Sequence, residues 1–147
     1  MRIRVIQHVP FEGPGAIAGW ANRRGHVVDF AHLHAGDRVP DAGSFDMLVM
    51  MGGPMSVIEE STYPWLVPEK QLVRDTIAQR KPVLGVCLGS QMIASAMGSA
   101  IYQAREKEIG WLRVRRVTTE GLGAILPDSF TPLHWHGETF DLPHGAR

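Results

Sequence analysis

No disulfide can form within this chain, because its 147 residues include one cysteine. That excludes the disulfide-stapled secreted folds and fits a reducing compartment, so the cytoplasm is the expected location. Net charge is lacking too, since fifteen Lys and Arg offset fifteen Asp and Glu. No segment gathers basic residues into the dense run a polyanion surface needs, and nucleic acid is not expected as a partner. Long apolar runs are missing: residues 47–51 and 82–88 fall far short of the roughly 20 that cross a bilayer, so no membrane association is expected. The opening Met1-Arg2-Ile3-Arg4-Val5-Ile6-Gln7-His8 mixes basic with apolar residues and lacks the apolar centre of a secretory signal, so the mature chain is expected to begin there. There is no internal repeat, low-complexity tract or linker, and the length suits one domain with one core.

What is present has ordinary globular composition, 44% hydrophobic and 20% charged. The first stretch reads as strand 3–9, helix 15–24 behind Pro14, and strand 26–33, with Gly25 at the helix C-cap. The run Phe45-Asp46-Met47-Leu48-Val49-Met50-Met51 is apolar nearly throughout, the mark of a strand covered on both faces, and stops at Gly52-Gly53-Pro54. Trp65, Leu66, Leu72, Val73, Thr76 and Ile77 recur at helical spacing over 64–80. A strand is expected over 83–86 and a buried helix over 91–97, closed by Gly98. Strands alternating with helices predict an α/β fold with a doubly wound, mostly parallel sheet and right-handed crossovers. Further on, 109–117 has β character and 133–138 reads as a short strand running into a loop.

The cysteine sits at Gly85-Val86-Cys87-Leu88-Gly89, where a strand turns directly into a helix. Such a corner lifts its middle side chain out of the sheet, and glycines flank it because side chains there would collide. The helix N-terminus is expected to favour thiolate and lower the Cys87 pKa. The Leu88 N–H can point at an oxyanion formed on a substrate carbonyl. A second donor can come from Gly53, where a backbone without a side chain approaches closely. Both turns end strands, and open α/β sheets bind ligands at those ends. Cys87 is therefore the candidate nucleophile, against the plainer reading of a buried small hydrophobe.

The string Gly85-Val86-Cys87-Leu88-Gly89-Ser90-Gln91 closely resembles the nucleophile turn of the class I, triad-type glutamine amidotransferases. Three further stretches match in order: Gly52-Gly53-Pro54-Met55-Ser56-Val57, Lys107-Glu108-Ile109-Gly110-Trp111, and His134-Trp135-His136-Gly137-Glu138 followed by Leu142-Pro143-His144-Gly145-Ala146. The resemblance covers the chain and is nearest to stand-alone members similar to the glutaminase domain of GMP synthetase. It implies a flavodoxin-like fold and the release of ammonia from glutamine through a γ-glutamyl thioester on Cys87. Gly53 and Leu88 would form the oxyanion hole; Gln91 and the loop at His136 and Gly137 would hold the substrate. No cofactor and no metal are expected. The resemblance leaves the ammonia acceptor, or a synthetase partner, unidentified.

The family also carries its base in a His-x-Glu motif beyond the Leu-Pro-x-Gly-Ala stretch, and the sequence as given has none after Leu142. Residues 1–147 therefore read as the N-terminal portion of one glutaminase domain, expected to be inactive alone. His136-Gly137-Glu138 itself spells His-x-Glu, so a role for His136 as base stays open. Two other readings also stay open: a catalytically dead relative used for binding or regulation, and another elbow-cysteine hydrolase, of the γ-glutamyl-peptide hydrolase or the DJ-1 and PfpI kind. His8, His26, His32, His34 and His144 are taken as surface or packing residues. Glu106, Lys107 and Glu108 read as a solvated stretch before a strand, Trp111 as core, and Trp65 as helix packing.

Overall fold

The computed structural model describes residues 1–146, and its first strand follows from the alternation at the N-terminus. In β1 (Arg2–Gln7), Ile3 and Val5 face one side of a sheet, and Ile6 faces the other. Helix α1 (Gly15–Arg23) leads to β2 (Val27–His32), with Gly25 at φ 69° just past the helix end. Strand β3 (Met47–Met50) is followed by α2 (Leu66–Ala78), β4 (Val83–Gly85) and α3 (Leu88–Ala96). The four strands form one parallel sheet in the order β2-β1-β3-β4.

The apolar run of β3 is explained by cover on both faces. Leu48 and Met50 pack with Leu66, Leu72 and Val73 of α2 and Met92 of α3, while Val49 and Met51 pack with Ile3, Val5 and Ala21 of α1. Full burial of such side chains stabilises by roughly 1.5–3 kcal/mol each. The doubly wound α/β architecture is thus as expected from the sequence. Helix α3 starts at Leu88 rather than at residue 91, because Gly89 and Ser90 fill the first turn and the Ser90 hydroxyl donates to the Cys87 carbonyl at 2.6 Å. Such residues are poor in a helix interior but suit its first turn.

Two compact units can be distinguished: Met1–Ile101 with the tail from Phe140, and Tyr102–Thr139. In the second part of the chain, β5 (Ile101–Trp111) pairs with β8 (Leu133–Phe140), and β6 (Val114–Arg115) pairs antiparallel with β7 (Ser129–Phe130). Arg116 ties the loop between β6 and β7, donating to the carbonyls of Gly123 and Leu126 and to the Asp128 carboxylate. Two expectations need correction. Glu106, Lys107 and Glu108 lie within β5 rather than before a strand, and Trp111 is 71% exposed rather than in a core. A third correction is that His136 and Gly137 stand inside β8 and not in a loop, because the strand continues to Phe140. No helix among the described residues is long and apolar enough to cross a membrane.

Candidate functional site

Parallel pairing brings the carboxyl ends of β1, β3 and β4 to one edge. The Met51 N–H donates to the Ile6 carbonyl at 3.0 Å and the Val86 N–H to the Met50 carbonyl at 2.9 Å, so the pairing runs up to the loops themselves. Cys87 follows immediately, with φ 52° and ψ −110°. A non-glycine residue in that region holds roughly 1–3 kcal/mol of strain, which the surroundings must sustain. They do so by close approach of backbone to backbone. A Cβ on Gly85 would lie 2.5 Å from the Ser90 nitrogen, and one on Gly89 would overlap the Met50 carbonyl. Both glycines are required by contact, as the Gly-x-Cys-x-Gly pattern implied.

Gly52 and Gly53 adjoin this corner. A Cβ on Gly52 would stand 3.6 Å from the Cys87 Cβ, and one on Gly53 would stand 3.1 Å from Leu88 Cδ2. Three of the residues singled out in the sequence, Cys87, Gly53 and Leu88, are therefore neighbours at one sheet edge. Gln91 follows one turn into α3, and with 6% of its surface exposed its side chain is held within the fold. His136 and Gly137 belong to the second unit.

Cys87 is exposed as a residue, yet its sulfur is partly shielded. That shielding pushes the thiol pKa up, the Leu88 N–H draws it down, and the Glu12 carboxylate pushes it up again; the outcome is upward. The expectation of a lowered pKa is thus corrected: loss of water and a neighbouring anion outweigh the help of the helix N-terminus. Nothing in the sequence signalled Glu12, which lies 75 residues from Cys87. It stands half-buried in the loop after β1, with its carboxylate over Gly52 in the space a side chain there would fill.

Two more groupings escaped the sequence. His8 is 1% exposed and Glu69 is fully buried; His8 Nε2 lies 2.8 Å from Glu69 Oε1, and His8 Nδ1 lies 3.2 Å from the Gly52 carbonyl. In the second unit, Glu108 Oε2 meets His134 Nδ1 at 2.7 Å and His136 Nε2 at 3.1 Å. These three groups, with ligand atoms all within 4.8 Å of one another, could hold a metal ion; His134 Nδ1 is also hydrogen-bonded to Glu108 Oε2. Glu108 and His134 are 26 residues apart, and no local pattern joins them.

The chain matches the family model for glutamine amidotransferase class-I over residues 21–147. It is 39% identical over 146 residues to the glutamine amidotransferase-like protein YfeJ of Salmonella typhimurium, covering 94% of this chain and 61% of that one. It is 33% identical over 99 residues to the glutamine-hydrolyzing GMP synthase of Thermomicrobium roseum, covering 67% of this chain and 18% of that much longer relative. The crystal structure of a glutamine amidotransferase from Thermotoga maritima superimposes with a TM-score of 0.92 at 33% identity, over 98% of this chain and 64% of that one. The chain thus spans about three fifths of the length of the Salmonella and Thermotoga proteins.

Proposed function

We propose that this chain, which belongs to the glutamine amidotransferase class-I family, uses Cys87 to attack the side-chain amide of glutamine. A base takes the thiol proton as sulfur bonds to the amide carbon and the carbonyl oxygen takes the charge. That proton passes to the nitrogen as the C–N bond breaks and ammonia leaves, and water then cleaves the γ-glutamyl thioester to glutamate and the free thiol. The observation that carries this reading is the strained Cys87 corner seated against Gly52 and Gly53. The N–H groups of Gly53 and Leu88 stabilise the oxyanion. Gln91, one turn into α3 beyond Cys87, helps to hold the substrate. The raised thiol pKa supports a cysteine that rests as thiol and is ionised only when a base takes its proton. Similarity to a glutamine-hydrolyzing GMP synthase supports glutamine as the substrate and an ammonia-consuming enzyme as the acceptor. The lone cysteine supports a reducing, cytoplasmic setting.

A diazo-ketone analogue of glutamine tests the reading. In a version extended through a His-x-Glu segment, mass spectrometry should show one adduct on Cys87, formed faster than on glutathione and abolished in Cys87→Ala. Ammonia release separates the base assignments. Residues 1–147 alone should release none, and a version extended through a His-x-Glu segment should release it. Activity of residues 1–147 that is lost in a folded His136→Ala variant would make His136 the base.

A further inference from the structure

We propose that His8, held by Glu69, is the positioning residue that aims the Gly53 N–H at the substrate. This rests on the oxyanion role given to Gly53 above.

The Gly52–Gly53 peptide is where the two roles meet. A trans peptide is planar, and its C=O and N–H point in opposite directions; no peptide bond among the described residues is cis. Whatever fixes the Gly52 carbonyl therefore fixes the Gly53 N–H. Two adjacent glycines leave such a peptide unusually ready to turn over, since neither has a Cβ to restrict its torsions. The Gly52 carbonyl is fixed from the core side by His8 Nδ1 at 3.2 Å, which directs the Gly53 N–H away from the core.

The tautomer follows from the partners. Nδ1 faces a carbonyl oxygen, which accepts only, so it must carry a proton. Nε2 faces the Glu69 carboxyl at 2.8 Å. The proton between them sits on the imidazole or on the carboxyl, and in either case Nδ1–H remains the donor to Gly52. Glu69 Oε2 is buried with no hydrogen-bond partner among the described residues, so its hydrogen bonding is directed to His8 through the other oxygen. The Trp65 ring stacks on the imidazole at 5.3 Å between centroids and blocks its rotation. Burial lowers the His8 pKa, but Glu69 and the Gly52 and Met51 backbone raise it more.

Stability alone does not account for the pair. Replacing a buried ion pair by apolar groups of similar volume is often neutral or stabilising, whereas aiming a glycine peptide needs a donor at that point. The test compares two reagents on Cys87. A diazo-ketone glutamine analogue needs the oxyanion donors as sulfur adds to its ketone; iodoacetamide reacts by displacement and does not. His8→Phe/Glu69→Met removes the pair while keeping volume and should slow the diazo-ketone reaction by about 100-fold, the typical effect of losing one such donor. Iodoacetamide should react at nearly the native rate.

Two polar variants serve if the apolar one does not fold. In His8→Asn/Glu69→Gln the short amide can reach Gly52 as Nδ1 does, and most of the rate should return. In His8→Gln/Glu69→Gln the amide lies one bond farther out and the rate should stay low. Equal diazo-ketone rates in the folded Asn and Gln variants overturn the inference, as does a native rate in the apolar one. If Gly53→Val slows the reaction and these variants do not, only the role of His8 is lost. If the native protein reacts no faster than glutathione, the glutaminase reading fails and the role of His8 with it.

Discussion

Up to Ile101, Ile6, Leu48, Val49, Leu66 and Val73 are entirely out of water; from Tyr102 to Thr139 no residue is buried, and Val117, Leu122, Trp135 and Trp111 are 97%, 81%, 73% and 71% exposed. The first unit gains from apolar burial on both faces of a parallel sheet. The second relies on strand pairing and on polar contacts such as those of Arg116 and Glu108. Exposed polar contacts contribute on the order of 1 kcal/mol or less each. The strain at Cys87 is therefore borne by the first unit, whose core can sustain it.

The contrast between the units is easiest to break through stability. Phe45, 1% exposed in the main core, should cost about 3–5 kcal/mol when replaced by Ala, from lost burial and the cavity left behind. Trp135→Ala should stay within about 0.5 kcal/mol. Urea unfolding of both variants measures the difference, and similar losses would show that the second unit buries its apolar groups in solution.

The backbone of the site also differs from that of the second unit. A Cβ on Gly53 would lie 2.5 Å from Met55 Sδ, 3.1 Å from Leu88 and 3.2 Å from His8. The Met55 thioether can swing aside, but Leu88 and His8 hold their places, so Gly53→Val should displace the loop and slow diazo-ketone labelling by about 10²–10³. A Cβ on Gly137 would meet the flexible Lys107 side chain at 3.3 Å, so Gly137→Ala should leave the fold unchanged by circular dichroism. An unaffected labelling rate in Gly53→Val would remove that loop from the mechanism.

The buried His8–Glu69 pair of the first unit also gives a pH dependence. The His8 pKa is raised in the folded chain, so its proton favours the native state fully below the unfolded value of about 6.5. That contribution fades as pH rises through the folded pKa. Relative to His8→Asn/Glu69→Gln, the native chain should lose stability as pH is raised above about 6.5, measured by urea unfolding across pH. A difference that grows with pH would contradict the assignment.

The smallest expected effect belongs to Glu12. Its carboxylate raises the Cys87 pKa, so Glu12→Gln should increase the thiolate fraction near neutral pH. Iodoacetamide labelling should quicken a few-fold, less than the gain in thiolate, because a less basic thiolate is also a weaker nucleophile. An unchanged rate would mean that solvent screens Glu12 from the sulfur.

The sheet and the Cys87 corner were legible in the sequence because each is written in a few consecutive residues. Alternation in β1, the unbroken apolar run of β3 and the glycines at 85 and 89 specify strand, burial and turn by local geometry. The continuation of β8 through His136 and Gly137 was not, since a glycine amid polar residues reads as a loop until a partner strand pairs with it. Nor was the exposure of Trp111, because hydrophobicity in a sequence says that a side chain prefers burial and not that a neighbour exists to bury it.

By itself, then, the sequence determined the parallel sheet, the strained cysteine and the glycine loop beside it. Tertiary structure alone decided that His8 meets Glu69 across 61 residues, that Glu12 lies over Gly52, and that Glu108 joins His134 and His136. The first group depends on torsions and periodicity that neighbouring residues impose on one another. The second depends on packing that brings distant charges together and removes water from around them, and the local order of residues carries no record of either.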